Sequence, residues 1–353
     1  MKTQDTKIRI IDHSWHLAHQ YSQISAIPDI EWTWLIQHRR GFNITPRGDF
    51  LEDFGVKQTP YYEKGKYDLA ILHLDQQCLD EILYERGKGS LYRELNEVIT
   101  DIPKLVIVHG TPYWPERFSP VELCDMMKKF IGKNFMLCNS HTARLQWAFG
   151  VEGAKIYKAA GKVETIGVPL KQSASLWHGI DPDDFPCLPK EPRIVTMVSP
   201  AGLDKYYDRL FLTTIKDMLK ERNMHHCHIT VDASFRNFKE YANFLGRSLI
   251  YFNPTRESPM PRARTEAMLA GCCVVTTPHQ DASDFIEHGK NGFIIPRNPE
   301  KVTDFLEALV LEYKQALKVG EEGRKTVLKL FRPERYRKEF LELINKIIKE
   351  YGE

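Results

Sequence analysis

The residues best suited to chemistry lie between positions 256 and 277, in the sequence RESPMPRARTEAMLAGCCVVTT. Two glutamates, Glu257 and Glu266, bracket a loop that opens a predicted helix over 262–270. Backbone N–H groups at a helix start lack intrahelical partners and carry partial positive charge, so they suit phosphates and sugar hydroxyls. A carboxylate beside them can accept hydrogen bonds from a vicinal diol such as ribose or a hexose. Taken alone, Glu266 could equally support the first helical turn through the helix dipole.

Short apolar runs alternate with amphipathic segments through the first half of the chain. The runs lack polar alternation, as strands that are covered on both faces should. This alternation predicts βαβ units and a parallel, doubly wound sheet. The predicted strands are 8–11, 32–36, 69–74, 105–108 and 135–138, and helices are predicted at 91–99 and 120–131.

A proline-rich connector, IDPDDFPCLPKEP at 180–192, separates this region from a second alternating one. We therefore predict an N-terminal domain over 1–185 and a C-terminal domain over 190–330. The amphipathic helix 333–353 should return to the N-terminal domain, with Tyr336 and Phe340 on its apolar side. Ligands of open α/β sheets bind at the carboxyl ends of strands, which predicts a cleft between the two sheets. The second domain should contain strands 194–198, 228–231, 249–252, 273–276 and 292–295, and helices 206–221, 236–245, 262–270 and 281–288.

Composition narrows the functional classes. The chain has 353 residues and a formal charge of +2, from 49 basic and 47 acidic side chains. Proteins that hold nucleic acid electrostatically usually have a larger excess of basic residues. The seven cysteines form no CxxC pair, so neither a zinc ribbon nor a disulfide framework is indicated. With no apolar run near the ~18 residues of a membrane span, we expect a cytoplasmic protein, peripheral at the membrane if it acts on a lipid.

The segment around the two glutamates resembles the C-terminal domain of the retaining GT-B glycosyltransferases of family 4. In that family two glutamates bracket a loop, and an alanine–methionine helix, a glycine and a strand follow; here residues 266–271 read EAMLAG and Val274-Val275 comes next. The stretches 284–296 and 177–181 also match, so the resemblance covers nearly the whole chain and is strongest over 190–330. It implies an α/β GT-B fold, with two Rossmann-like domains facing across a cleft and the last helix on the N-terminal domain.

The resemblance also implies an activity: transfer of a hexose, with retention, from a nucleotide-diphosphate sugar to an unidentified acceptor. The donor would be held mainly by the C-terminal domain and the acceptor by the N-terminal domain. His109 and Glu257 are the implied catalytic residues, His109 facing the donor sugar and Glu257 binding its hydroxyls. The other implied roles are donor phosphate for Lys205 and Ser199, donor sugar for Ser258, Pro259 and Met260, and ribose of the nucleoside for Glu266.

Three departures from the family pattern bear on these roles. Glu257 and Glu266 are separated by one residue more than in the family, so either Glu257 reaches the sugar by another path or Ser258 holds its position. Pro200 stands where the family has a phosphate-binding arginine. Arg262 or Arg264 could replace that cation, and we favour Arg262 because it lies farther from the regular helix. The run Asp12-His-Ser-Trp-His-Leu-Ala18 replaces a glycine-rich loop.

The glutamate spacing and the missing arginine favour one other function, a non-catalytic GT-B subunit that binds nucleotide sugar or glycan. A third alternative is an epimerase or phosphorylase on the same architecture, but a phosphorylase would normally need a pyridoxal-phosphate lysine site, which the sequence does not show. Metal and cofactor are not expected. The D-x-D motif Asp181-Pro-Asp183 falls in the interdomain connector, where the family holds no metal. The cluster His225-His-Cys-His228 lies on a predicted strand, whose adjacent residues point to opposite faces.

Overall fold

The computed structural model describes residues 7–36, 50–80, 88–198, 203–230 and 234–351. They form two compact units. The first unit holds the described residues up to Gly179 together with those from Pro333 onward, and the second holds those between Ile180 and Arg332. Each unit is built around a parallel sheet with helices packed on it, which confirms the predicted α/β architecture.

The first unit contains a seven-stranded sheet with the order β3-β2-β1-β4-β5-β6-β7. The order reverses between β1 and β4, and open α/β sheets bind ligands beside such a reversal, at the carboxyl ends of the strands. Alternate residues of β4 enter different cores, with Ala70 and Leu72 on one face and Leu69 and Ile71 on the other. The strands are β1 Ile8–His13, β2 Ile30–Leu35, β3 Lys57–Thr59, β4 Leu69–Leu74, β5 Lys104–Val108, β6 Phe135–Cys138 and β7 Ser173–Ser175.

Five helices within the described ranges connect these strands. The helix α4 begins as its sequence predicts: Ser119 and Glu122 form a reciprocal capping box around Pro120 at the first helical position. The helix α5 is kinked at Gly150, whose φ of 76° interrupts the helical backbone. The helices are α1 Leu17–Ala26, α2 Phe50–Asp53, α3 Lys88–Val98, α4 Pro120–Ile131 and α5 His141–Ala160.

The second unit contains a five-stranded sheet with the order β12-β11-β10-β8-β9, which reverses between β8 and β10. Its strands are β8 Glu191–Met197, β9 His226–Ile229, β10 Ser248–Asn253, β11 Cys273–Thr276 and β12 Phe293–Ile294. Its helices are α6 Arg209–Glu221, α7 Phe238–Arg247, α8 Arg262–Leu269, α9 Ala282–Phe285, α10 Pro299–Leu311 and α11 Tyr313–Leu330.

The last described helix, α12, spans Pro333–Tyr351 and belongs to the first unit. Its apolar side is buried in the core beneath β1 and β4, as predicted from the periodicity. The residues that α12 contributes to this core are Tyr336, Phe340, Leu343, Ile344 and Ile347. None of the helices in the described ranges is long and apolar enough to cross a membrane.

Two predicted helices are shorter in the structure. The helix predicted over 206–221 begins only at Arg209, because Asp208 has a φ of 70° and its side chain instead caps α6 by accepting from the N–H of Phe211. The helix predicted over 281–288 ends at Phe285. There the amide oxygen of Asn291 accepts from the N–H of Glu287 at 2.7 Å and turns the chain toward β12.

Candidate functional site

The glutamate-bracketed loop lies where the strand order of the second unit reverses. It follows β10, and a π-helical turn over Leu203–Tyr207 follows β8, so both segments leave the carboxyl ends of adjacent strands. The N–H groups of Arg256 and Glu257 donate to the carbonyl of Tyr206 at 2.7 and 3.2 Å. These bonds join the two segments at the position where α/β sheets bind ligands.

Arg297 strengthens this junction from the segment after β12. Its guanidinium donates to the carbonyls of Pro254 at 2.9 Å and Tyr207 at 2.8 Å. It also lies 4.2 Å above the ring of Phe211 and 3.3 Å from the carboxylate of Asp208. Arg297 thus fixes the backbone on both sides of the reversal. It was not predicted from the sequence, where nothing marks an arginine some forty residues from the loop.

Glu257 is half-buried and lies close enough to Arg256 and Arg297 to interact with both electrostatically. Burial raises the pKa of its carboxyl to about 7, against the opposing effect of Arg256 and then Arg297. Near neutral pH the side chain therefore exchanges between a carboxylate, which accepts hydrogen bonds, and a carboxylic acid, which also donates one. Either form can bind a sugar hydroxyl.

The raised pKa gives a testable effect on stability. Because the folded chain holds this proton more tightly than the unfolded chain, the resulting stabilisation is complete below a pH of about 4.5 and is lost as the pH rises through about 7. Glu257→Gln cannot ionise, so we expect it to be more stable than the parent by about 1–3 kcal/mol at a pH of about 8, and by much less at about 5.

Urea unfolding at the two pH values measures this difference. Glu221→Gln, at the exposed end of α6, is the matched control and should change little between them. A Glu257→Gln variant with the same stability difference from the parent at both pH values would contradict the assignment.

Glu266 lies on α8 and is only 5% exposed. The hydroxyl of Tyr241 donates to its Oε2 at 2.8 Å, and Nε of Arg262 donates to its Oε1 at 2.8 Å. Arg262 and Glu266 are four positions apart on the same helical face. A carboxylate has about four acceptor positions, so the oxygens of Glu266 retain acceptor capacity for the two hydroxyls of a ribose.

The two loop arginines are placed differently. Arg262 forms the ion pair with Glu266, beside the start of α8. Arg264 is fully buried, with Nη1 3.1 Å from Nε2 of His279 and its guanidinium 5.0 Å from the ring of Phe285. Burial lowers the pKa of Arg264 to about 10, while Asp281 opposes that shift. Arg264 is thus an interior side chain, and Arg262 is the one of the two that lies at the helix start.

The structure describes only some of the other residues that are predicted to bind the donor. Ser258 is half-buried, whereas Pro259 and Met260 are buried, and Sδ of Met260 lies 3.4 Å from Nη2 of Arg264. A sugar would therefore meet the backbone of Met260 rather than its side chain. Ser199 lies outside the described residues, as does Pro200; Lys205 lies in the π-helical turn, and its side chain is likewise outside them.

A second group of polar residues lies at the strand reversal of the first unit. The half-buried His109 follows β5, and its Nε2 is 2.9 Å from Nδ1 of His73, a fully buried residue of β4. Nε2 of His73 is in turn 2.9 Å from Oδ1 of Asp12, near the end of β1. The family resemblance identified His109, but His73 reads as part of an apolar strand and Asp12 as part of an altered loop. Only the parallel register of β1, β4 and β5 brings the three together.

Aromatic rings surround this group. Trp15 stacks on His73 and on His109, each at 6.0 Å between ring centroids. His16 stacks on His109 at 5.9 Å, and His19 meets the same ring edge-on at 5.9 Å. The run that replaces the glycine-rich loop therefore supplies two of the rings around His109, those of Trp15 and His16.

No three His, Cys, Asp or Glu side chains within the described ranges are arranged to hold a metal ion. The carboxylate of Asp181, from the D-x-D motif, accepts from the N–H of Asp183 at 2.9 Å and caps a short 3-10 turn. His226 hydrogen-bonds Thr196 at 3.1 Å, while Nε2 of His228 lies 3.0 Å from the carbonyl of Val198. Both motifs thus have local structural roles.

Residues 213–312, which include the bracketed loop and α8, match the family model described as glycosyl transferases group 1. No curated protein sequence matches the chain significantly. Among solved structures, a glycosyltransferase from Rickettsia africae ESF-5 is 14% identical with a TM-score of 0.63, over 98% of this chain and 99% of that one.

Two further structures are similar over comparable lengths. Sucrose-phosphate synthase from Thermosynechococcus elongatus is 13% identical with a TM-score of 0.65, covering 98% of this chain and 100% of that one. HepE from Anabaena, solved in complex with UDP-glucose, is 12% identical with a TM-score of 0.65, covering 96% and 100%. These likenesses confirm the predicted GT-B fold, and with the matched domain they support the predicted enzyme class, a glycosyltransferase.

Proposed function

We propose that this GT-B glycosyltransferase moves a hexose from a nucleotide-diphosphate sugar to an acceptor, with retention of configuration and without a divalent metal. The observation that carries the proposal is the position of the Glu257–Glu266 loop. It lies at the β8/β10 reversal, inside the region that matches the glycosyl transferases group 1 model. The UDP-glucose bound to HepE, a protein of the same fold, supports a nucleotide sugar as the donor.

Countercharge for the diphosphate would come from three sources. The helix α8 begins at Arg262, after Pro261 at the N-cap, and no side chain of the described residues caps it, so backbone N–H groups at its start can donate to phosphate oxygens. Lys205 and Arg262 would add positive charge, and Ser199 a hydroxyl. When the glycosyl–phosphate bond breaks, negative charge grows on the leaving diphosphate, and fixed dipoles and cations stabilise it without reorganisation.

The remaining residues would orient the two ends of the donor. Glu266, held by Tyr241 and Arg262, would bind the ribose. Glu257, with the backbone of Ser258 to Met260, would bind hydroxyls of the transferred sugar. His109 would contact the same sugar as positive charge develops on it. The acceptor would bind to the first unit, and we place the enzyme in the cytoplasm.

Metal-independent binding is the first test of this function. We expect UDP, GDP or ADP to stabilise the protein in the presence of EDTA, by about 2.7 kcal/mol at 100 times its dissociation constant. The corresponding nucleoside monophosphate is the matched control and should bind more weakly, because it lacks one phosphate for the α8 start. Stabilisation that disappears in EDTA and returns with Mg²⁺ or Mn²⁺ would contradict the proposal.

A non-catalytic subunit that binds nucleotide sugar is the second candidate. Pro200 in place of the phosphate arginine and the additional residue between the glutamates favour it. Incubation of the purified chain with UDP-, GDP- and ADP-sugars, followed by detection of released nucleotide, separates the two functions. Release above the spontaneous rate supports the enzyme, and stabilisation without release supports the binding subunit.

A further inference from the structure

We propose that Asp12 and His73 are positioning residues that hold His109 in a single tautomer, with Nδ1 as the hydrogen-bond acceptor. The inference deepens the proposed function and rests on it, because it concerns how His109 meets the transferred sugar. It comes from a continuous chain of contacts, from Asp12 through His73 to His109, each 2.9 Å long. Asp12 and His73 are 1% and 0% exposed, so water does not compete for these bonds.

Gln20 shows which atoms donate and which accept in the hydrogen bonds around Asp12. Its Oε1 lies 2.9 Å from the N–H of Trp15 and 3.1 Å from that of His16, so this atom is the acceptor and Nε2 is the donor. Nε2 then gives its two hydrogens to Oδ2 of Asp12 at 2.9 Å and to the carbonyl of His13 at 2.8 Å. The 3.3 Å approach of Gln20 Nε2 to His73 Nε2 is therefore a contact between two donors that share one carboxylate.

The protons of both imidazoles follow from this arrangement. Nε2 of His73 faces Oδ1 of Asp12, which accepts, so it must carry a hydrogen. In neutral His73 the other nitrogen, Nδ1, is then the acceptor. It faces Nε2 of His109, which must donate to it. Neutral His109 consequently carries its lone pair on Nδ1, the nitrogen that does not face His73. We call the hydrogen-bonded series Asp12, His73 and His109 the relay.

This tautomer offers a hydrogen-bond acceptor to a sugar hydroxyl, which can donate one hydrogen. A hydroxyl that donates to Nδ1 of His109 places its oxygen toward the imidazole and fixes the sugar by one directed bond. Partners behind a functional histidine commonly fix both its tautomer and its ring orientation. The stacked rings of Trp15 and His16 restrict rotation of the His109 ring in addition. Asp12 and His73 would thus act on the sugar only through His109.

Two substitutions of His73 separate a relay from a packing role. The amide oxygen of His73→Asn can replace Nδ1 and accept from His109, whereas the amide of His73→Gln reaches the position of Nε2 and keeps only the bond to Asp12. We expect His73→Gln to lower kcat for release of UDP from UDP-glucose, or from whichever nucleotide sugar the chain hydrolyses, by about 10- to 100-fold. His73→Asn should retain several times more activity, and KM should change little in both. A packing role predicts the opposite order, because glutamine is closer to histidine in volume.

Nitrogen-15 NMR of histidine-labelled protein tests the relay without turnover. The signals that disappear in His109→Gln belong to His109, and we expect them to show a protonated Nε2 and an unprotonated Nδ1. Asp12→Asn and His73→Gln should shift these signals toward averaged tautomers, while His226→Asn, a substitution on β9 of the second unit, should not. Unchanged His109 signals in both relay variants would overturn the inference. A chain that shows the relay by NMR but releases no nucleotide from any donor would instead refute the proposed function.

Discussion

Replacement of His109 by alanine should lower turnover of the nucleotide sugar about 100-fold, with a decrease of only a few degrees in the melting temperature. One well-placed polar contact to a developing charge contributes on this scale in enzymes. The stability effect is smaller because His109 is half-buried and its Nε2 makes one described hydrogen bond, to His73. A hydrogen bond of this kind contributes about 1 kcal/mol.

The measurement combines initial rates with thermal unfolding. His226→Ala is the control. That variant also removes one hydrogen bond of a histidine, the bond to Thr196, but the site of substitution lies in the second unit. We expect that variant to retain most of its activity. If His109→Ala instead loses stability and activity in proportion, His109 serves packing and the assigned contact to the sugar is wrong.

The largest effect on stability should come from Arg264. Its guanidinium is fully buried, stacked on Phe285 and near His279, and Asp281 is fully buried close enough to interact with it electrostatically. Removing one partner of a buried charge pair leaves the other uncompensated, at a cost of about 3–5 kcal/mol. Arg264→Ala should therefore lower the free energy of unfolding by about that amount and also leave a cavity.

Arg264→Met preserves most of the side-chain volume, so the difference between the two variants measures packing. Combining Arg264→Met with Asp281→Asn in a double-mutant cycle should give a coupling energy of about 0.5–3 kcal/mol. Arg262→Ala is the comparison within the same helix, where the lost partner is the carboxylate of Glu266 and the Arg262 side chain is 9% exposed. A stable Arg264→Ala variant that binds nucleoside diphosphate poorly would place Arg264 at the phosphates instead.

The sequence predicted those elements whose signals are local. The helix over 120–131 matches to the residue, because Ser119, Pro120 and Glu122 mark its start within four positions. The strands at 69–74, 135–138 and 273–276 also match, because each is a short and predominantly apolar run. The helix α6 begins late because Asp208 has a positive φ and caps it; Asp208 also pairs with Arg297, and no local sequence pattern contains either feature.

Some residues of the candidate site could be identified from the sequence, and others only from the structure. Glu257 and Glu266 stood out as glutamates at the two ends of a loop, and His109 was implied by the family resemblance; the proposed roles of all three stay predictions. The burial of Arg264 was not predicted. Helical spacing places Arg262 and Arg264 on different faces of the helix but does not say which face packs on the core. Asp12 and His73 lie 61 positions apart, and a histidine within an apolar strand looks like an ordinary core residue. Their side chains meet only because β1 and β4 pair side by side in the sheet.

The position of α12 has a consequence for biosynthesis. The core beneath β1 and β4 takes five side chains from this helix, yet the ribosome makes all of Ile180–Arg332 first. At about 5–20 residues per second, the first unit waits on the order of ten to thirty seconds with that apolar face uncovered. The second unit needs no such later segment among the described residues and can reach its native state earlier. We therefore expect the second unit to fold before the first, against the usual order in which N-terminal domains fold first, and a chaperone that shields the nascent first unit should raise its yield.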